Sequence, residues 1–98
     1  MGVRVAWDEA KNLANQRNHG VSFEEATGLF ASASDYLEIF DEIHSDSEDR
    51  FIAIGPIVRG LILVVWTERD DETIRIISAR WASGPEQALY RAYRDRSL

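Results

Sequence analysis

Cysteine is missing from the chain altogether. A disulfide framework and thiolate metal sites are therefore excluded, and a reducing cytoplasm is the natural setting. No apolar stretch is long: "LILVVW" at 61–66 falls far short of the roughly 20 residues that cross a bilayer. The opening "MGVRVAWDEAKN" lacks the apolar segment of a signal peptide. Repeats and low-complexity tracts are absent. So are a Walker A loop, a dinucleotide-binding glycine motif, a serine-hydrolase elbow and an EF-hand. The two histidines, His19 and His44, stand in no "HxxxH" or "HExxH" spacing, so no metal is expected.

What is present suits one small globular domain over residues 1–98, with 45% hydrophobic and 29% charged residues. The net charge of −6, taken whole, argues against nucleic-acid binding, because phosphate contacts supply most non-specific affinity. The distribution argues differently. Residues 31–49 hold seven acids and neither lysine nor arginine, whereas the segment from Ile74 onward carries Arg75, Arg80, Arg91, Arg94 and Arg96 against Glu86 and Asp95. The late basic segment suits an anion, and the acidic stretch suits a basic partner; solvated faces explain either stretch equally well.

"VRVAW" (3–7) predicts a short strand. Asp8 then caps a helix over 9–19, with Ala10, Leu13, Ala14 and Arg17 on one side, and Gly20 stops it. Ser22 and Glu25 form a capping box, and Phe23, Ala26, Leu29 and Phe30 give a second amphipathic helix. Strands are expected at 36–44, 50–58, 61–69 and 73–80, the last three joined by turns short enough for hairpins. Gly55-Pro56 suggests a bulge or an edge position. Ser83 and Glu86 form a second capping box, opening a last helix with Leu89, Ala92 and Tyr93 on one side. The order β-α-α-β-β-β-β-α implies an α+β two-layer domain, an antiparallel sheet with helices packed on one face.

Several side chains carry chemistry. His19 sits at a helix C-terminus, where it either caps carbonyls or does acid–base work. His44, ending an acidic strand, reads as a surface residue. Strict alternation puts Arg75 with Ile77 and Ala79 on one face of the last strand, and Ile74, Ile76 and Ser78 on the other. An arginine in mid-strand must reach water, a carboxylate or a phosphate, since burying it unpaired is costly. Arg80 ends that strand and Arg50 flanks another; Glu68 is a potential partner across the hairpin. Tyr93, in register with Leu89, is expected in the core, and Tyr90 is expected to keep a free hydroxyl.

The strings "WDEAKNLANQRNHGVSFEEA", "EDRFIAIG", "LILVVWTER" and "IRIISAR", followed by "AS..E...Y", resemble the BrnT family of type II toxin–antitoxin systems, from about Trp7 to Tyr90. The resemblance implies a compact RelE-like fold and a cytoplasmic ribonuclease toxin that blocks translation. It also implies neutralisation by a BrnA-type ribbon-helix-helix antitoxin, through which alone the complex meets operator DNA. Lys11, His19, Arg50, Glu68, Arg75 and Arg80 fall on recurring family positions, and Glu86 and Tyr90 match the closing "E…Y".

On that resemblance the catalytic set is His19, Glu68, Arg75 and Arg80, and RNA or phosphate is held by Lys11, Arg50 and Tyr90. The ribose 2′-OH attacks the adjacent phosphate, a base (His19 or Glu68) takes its proton, and cations meet the developing charge. No metal or other cofactor is required. Trp81 stands where the family commonly has a basic residue after "SAR", and Asn18 where it often has Lys. The alternative is a catalytically degenerate homologue that serves as an antitoxin-binding regulatory module.

Overall fold

A computed structural model describes residues 4–31, 35–70 and 72–96. The chain forms strand β1 (Arg4–Ala6), helix α1 (Glu9–His19), helix α2 (Phe23–Thr27) continued by a 3-10 turn (Gly28–Phe30), and strands β2 (Leu37–Phe40), β3 (Arg50–Ile57), β4 (Gly60–Arg69) and β5 (Thr73–Trp81), followed by helix α3 (Gly84–Arg96). The α+β class and the element order are those expected. The strands form one sheet in the order β1-β5-β4-β3-β2. Strands β2 to β5 are an antiparallel meander, and β1 adds in parallel to the start of β5. The expected strand at 36–44 ends at Phe40, and residues from Asp41 form a loop before β3.

The local signals act as chemistry requires. The Asp8 carboxylate accepts the Ala10 N–H at 2.9 Å, and Gly20 takes the left-handed conformation (φ 71°) that ends α1. Both capping boxes are built, Ser22 with Glu25 and Ser83 with Glu86. Gly55 makes no bulge: β3 pairs with β4 without a shift from Arg50 to Ile57. A Cβ at Gly55 would sit 2.7 Å from Leu29 Cδ1 and 2.8 Å from Tyr36 Cβ, so close approach is what the glycine serves. Pro56 lies beyond the part of β3 that pairs with β2, so its missing N–H breaks no bond there.

The two faces of the sheet are covered differently. On one face Ile62, Val64, Trp66, Ile74, Ile76 and Ala79 pack under Val21, Phe23, Ala26 and Leu29 of the α2 region. On the other, Ile54 and Leu63 pack under Tyr90 of α3, with Leu37, Ile52, Leu61, Val65 and Tyr93 around them. The helices therefore divide between the faces instead of sharing one. Alternation forces this, because Ile62 and Leu63 are adjacent and both buried, so both faces of β4 need a cover.

Helix α1 does not dock by an apolar stripe. Leu13 is 52% exposed, while Asn12 and Asn15 are buried. The Asn15 amide donates to the Ala79 carbonyl at 2.7 Å and to the Val21 carbonyl at 2.9 Å, and accepts the Ala79 N–H at 3.2 Å. It thus completes the free edge of β5 as a neighbouring strand would. Asn12 accepts the Phe23 N–H at 2.8 Å and donates to Glu24 at 2.8 Å, tying α1 to α2.

Helix α3 is moored at its first turn. Arg80 donates to both carboxylate oxygens of Glu86 at 2.8 Å, while Glu86 also accepts the Ser83 N–H at 2.8 Å. The Arg80 guanidinium, helped by the Ser83 contacts, holds the Glu86 carboxyl down at about 2 from its ordinary 4.5, against a smaller opposing effect of burial.

Asn15→Ala strands three backbone groups at once. It should destabilise the protein by about 2–4 kcal/mol, read from the urea midpoint, whereas Leu13→Ala should cost less than about 1 kcal/mol. Because Glu86 titrates lower in the folded chain than in the unfolded one, its contribution is complete above about 4.5 and fades as pH falls toward about 2. Glu86→Gln should therefore lower the melting temperature near neutral pH, by a loss of about 1–2 kcal/mol once solvent around Arg80 is allowed for, and the gap from wild type should close in acid.

Candidate RNA-binding groove

The site begins with a register shift. Opposite β4, the pairing runs Trp66↔Ile76 and then Val65↔Ser78, leaving Ile77 as an extra residue in β5. Without it, Arg75 and Arg80, an odd number of positions apart, would point to opposite faces. With it, Ile74, Ile76 and Ala79 all enter the α2-side core, and Arg75, Ser78 and Arg80 project from the other face. This overturns the strict alternation expected for β5, which grouped Arg75 with Ala79.

The rows across that face follow from the register. Arg80 lies opposite Leu63, which lies opposite Ile54. Ser78 lies opposite Val65 and then Ile52. Arg75 lies opposite Thr67 and then Arg50. Helix α3 covers only one end of these rows. The uncovered part is an open groove of about 320 Å³ lined by Arg50, Ile52, Leu63, Val65, Ile77, Ser78, Arg80 and Glu86, with Asp41 and His44 from the β2–β3 loop.

The arginines differ in how far the protein itself uses them. Arg80 is committed to Glu86 through both terminal nitrogens, although its side chain stays 42% exposed. The Arg50 and Arg75 side chains make no hydrogen bond or ion pair with any described residue, and Arg50 Nε is enclosed without a partner. Unpaired guanidinium groups in partly buried positions are held against a cost, and phosphate oxygens are natural acceptors for them.

The other sequence candidates lie elsewhere. His19 and Lys11 are exposed on α1, in the layer beside the β5 edge. Next to His19 is a structural cluster. Arg59 donates to Glu25 at 2.7 and 2.9 Å and to the Gly20 carbonyl at 2.7 Å, and lies 5.0 Å over the Trp81 ring. The Arg59 hydrogen bonds hold the Glu25 carboxyl below its usual range. Glu68 lies opposite Ile74, which puts it on the α2 face, away from Arg75 and Arg80; the carboxylate partner of Arg80 is Glu86. Tyr90 is 4% exposed and donates its hydroxyl to the Asp35 carbonyl at 3.2 Å, so it supports the groove end as a core residue and has no free hydroxyl. Tyr93 is half-buried and donates to the Asp35 carboxylate at 2.9 Å.

His44 and Asp41 are the groove residues that sequence reasoning passed over. Their i,i+3 spacing was the available signal, hidden by the expectation of a strand through residue 44. Among the described residues no group of three or more His, Cys, Asp or Glu is placed to hold a metal ion. No helix there is long and apolar enough to cross a membrane.

Residues 7–86 match the family described as "Ribonuclease toxin, BrnT, of type II toxin-antitoxin system". The fold is similar to the 1.1 Å crystal structure of the Brucella abortus ribonuclease toxin BrnT, with a TM-score of 0.61 and 25% sequence identity over 83% of this chain and 97% of that one. No match is found among curated proteins. The family match spans most of the chain, the fold agrees with it, and arginines gather on the part of the α3-side face that the helix leaves uncovered: the chain belongs to the BrnT family of ribonuclease toxins of type II toxin–antitoxin systems.

Proposed function

We propose that this toxin cleaves RNA internally, without a metal ion in the step, with the phosphodiester lying across the α3-side face of the sheet. The observation that carries the reading is the placing of Arg50, Arg75 and Arg80 on that one face, two of them without a side-chain partner among the described residues. In the reaction the ribose 2′-oxygen bonds to phosphorus and the bond to the 5′-oxygen breaks. Negative charge grows on the phosphoryl oxygens, where fixed guanidinium groups are worth most. Arg80, aimed by its fork with Glu86, is assigned to the scissile phosphate, and Arg50 and Arg75 to neighbouring phosphates. Lys11 and His19 are left to meet RNA that continues past the β5 edge. Glu68 has no role in the step on this reading, and Tyr90 acts through packing.

The cellular part of the reading follows from the family. A type II toxin has an antitoxin partner and, as a ribonuclease, an RNA substrate. We take the partner to be a BrnA-type ribbon-helix-helix protein that brings the complex to operator DNA, and the site of action to be the cytoplasm, where RNA cleavage stops translation. Induced expression should arrest growth with RNA decay, and co-expression of the neighbouring gene product should relieve it. Tight binding of that product without any RNA cleavage would favour a regulatory module instead.

Arg80→Ala should lower the cleavage rate by about 10²-fold or more, with Arg80→Lys recovering little because the fork is lost. Arg50→Ala or Arg75→Ala should weaken binding of single-stranded RNA and reduce the slope of log K against log salt by about 0.7 each. Full cleavage by Arg80→Ala would refute the phosphate assignment.

A further inference from the structure

The loop between β2 and β3 is tied down by its own hydrogen bonds. The Asp41 N–H donates to the Arg50 carbonyl at 2.9 Å. The Ser45 hydroxyl donates to the Asp41 carbonyl and accepts the Arg50 N–H at 2.9 Å. The Thr67 hydroxyl donates to the Asp49 carbonyl at 2.6 Å. Within this frame, His44 Nδ1 lies 2.9 Å from Asp41 Oδ2. The Asp41 side chain is only 12% exposed, whereas that of His44 is 65% exposed at the rim of the groove.

An ionised carboxylate only accepts, so the contact puts a proton on Nδ1, and whenever the imidazole is neutral its free lone pair is the one on Nε2. That is the tautomer a general base needs. The other acids of the groove are spent. Both Glu86 oxygens are taken by Arg80, and Asp41 is taken by His44. His19 and Glu68, the bases considered from the sequence, lie off this face.

We propose that His44 is the general base of the cleavage, with Asp41 as the residue that positions it; this rests on the nuclease reading above. Nε2 takes the 2′-OH proton as the 2′-oxygen attacks phosphorus. The bond to the 5′-oxygen then breaks, that oxygen takes a proton from water, and the imidazolium returns its proton to the hydroxide left behind. The products are a 2′,3′-cyclic phosphate and a 5′-hydroxyl. The groups facing the imidazole across the groove are Arg50, Arg80 and Glu86, and the two arginines favour the anionic phosphate beside it.

The test uses the full chain, a 5′-fluorescein single-stranded RNA, and its all-deoxy analogue as an uncleavable binding probe. His44→Gln should slow single-turnover cleavage by about 10²- to 10⁴-fold while leaving binding of the analogue unchanged. The limb of the pH–rate profile set by the base should vanish in His44→Gln and move in Asp41→Asn, which a merely structural substitution would not cause. Wild-type-like rates and an unchanged profile in His44→Gln overturn the proposal alone. Failure of the wild type to cleave any RNA overturns the nuclease reading, and the proposal with it.

Discussion

Arg80 faces the groove because Ala79 is held in the core. The Asn15 amide grips both backbone polar groups of Ala79 from the open edge of β5, and the extra residue Ile77 sets the parity just before it. In a strand a slip of one residue sends every following side chain to the other face. Here the slip is built in, and a buried amide from α1 locks its outcome. The first helix, although on the far side of the edge, therefore controls which way the late arginines point.

This placement reconciles an acidic protein with an anionic substrate. Net charge governs long-range approach, but screening limits its reach to about 8 Å at physiological salt, so local geometry decides what a groove binds. Arg59 is consumed by Glu25 and Trp81 on the α1 side, where it holds the corner after α1 together. Arg50 and Arg75, on the opposite face, have no side-chain partner among the described residues. Arg80 stands between these cases: Glu86 takes part of its charge but fixes its direction, and the same carboxylate caps α3.

Much of the fold could be read from local chemistry. Asp8, Gly20, Ser22–Glu25 and Ser83–Glu86 announced helix ends because caps depend on a few neighbouring residues. Hairpins and their strands were legible for the same reason. What stayed hidden was non-local. Asn12 and Asn15 look like surface residues until a strand edge and a helix start arrive to use their amides. Ile77 looks like a core residue of a regular strand, and only pairing with β4 shows it to be the extra one. Tyr90 and not Tyr93 is the fully buried one, and both hydroxyls are used, because the direction from which α3 meets the sheet is not encoded in its own periodicity. His44 was passed over because the strand assigned to it stops at Phe40, turning an edge residue into a loop residue beside Arg50.

The most direct measurement is NMR chemical-shift mapping of the folded chain with a 2′-O-methyl RNA oligonucleotide, which binds without being cleaved. The account predicts that the largest shifts fall on His44, Arg50, Val65, Arg75, Ser78 and Arg80, along one face of the sheet. Shifts concentrated instead on Lys11, His19 and the outer side of α1, with those residues unmoved, would contradict it.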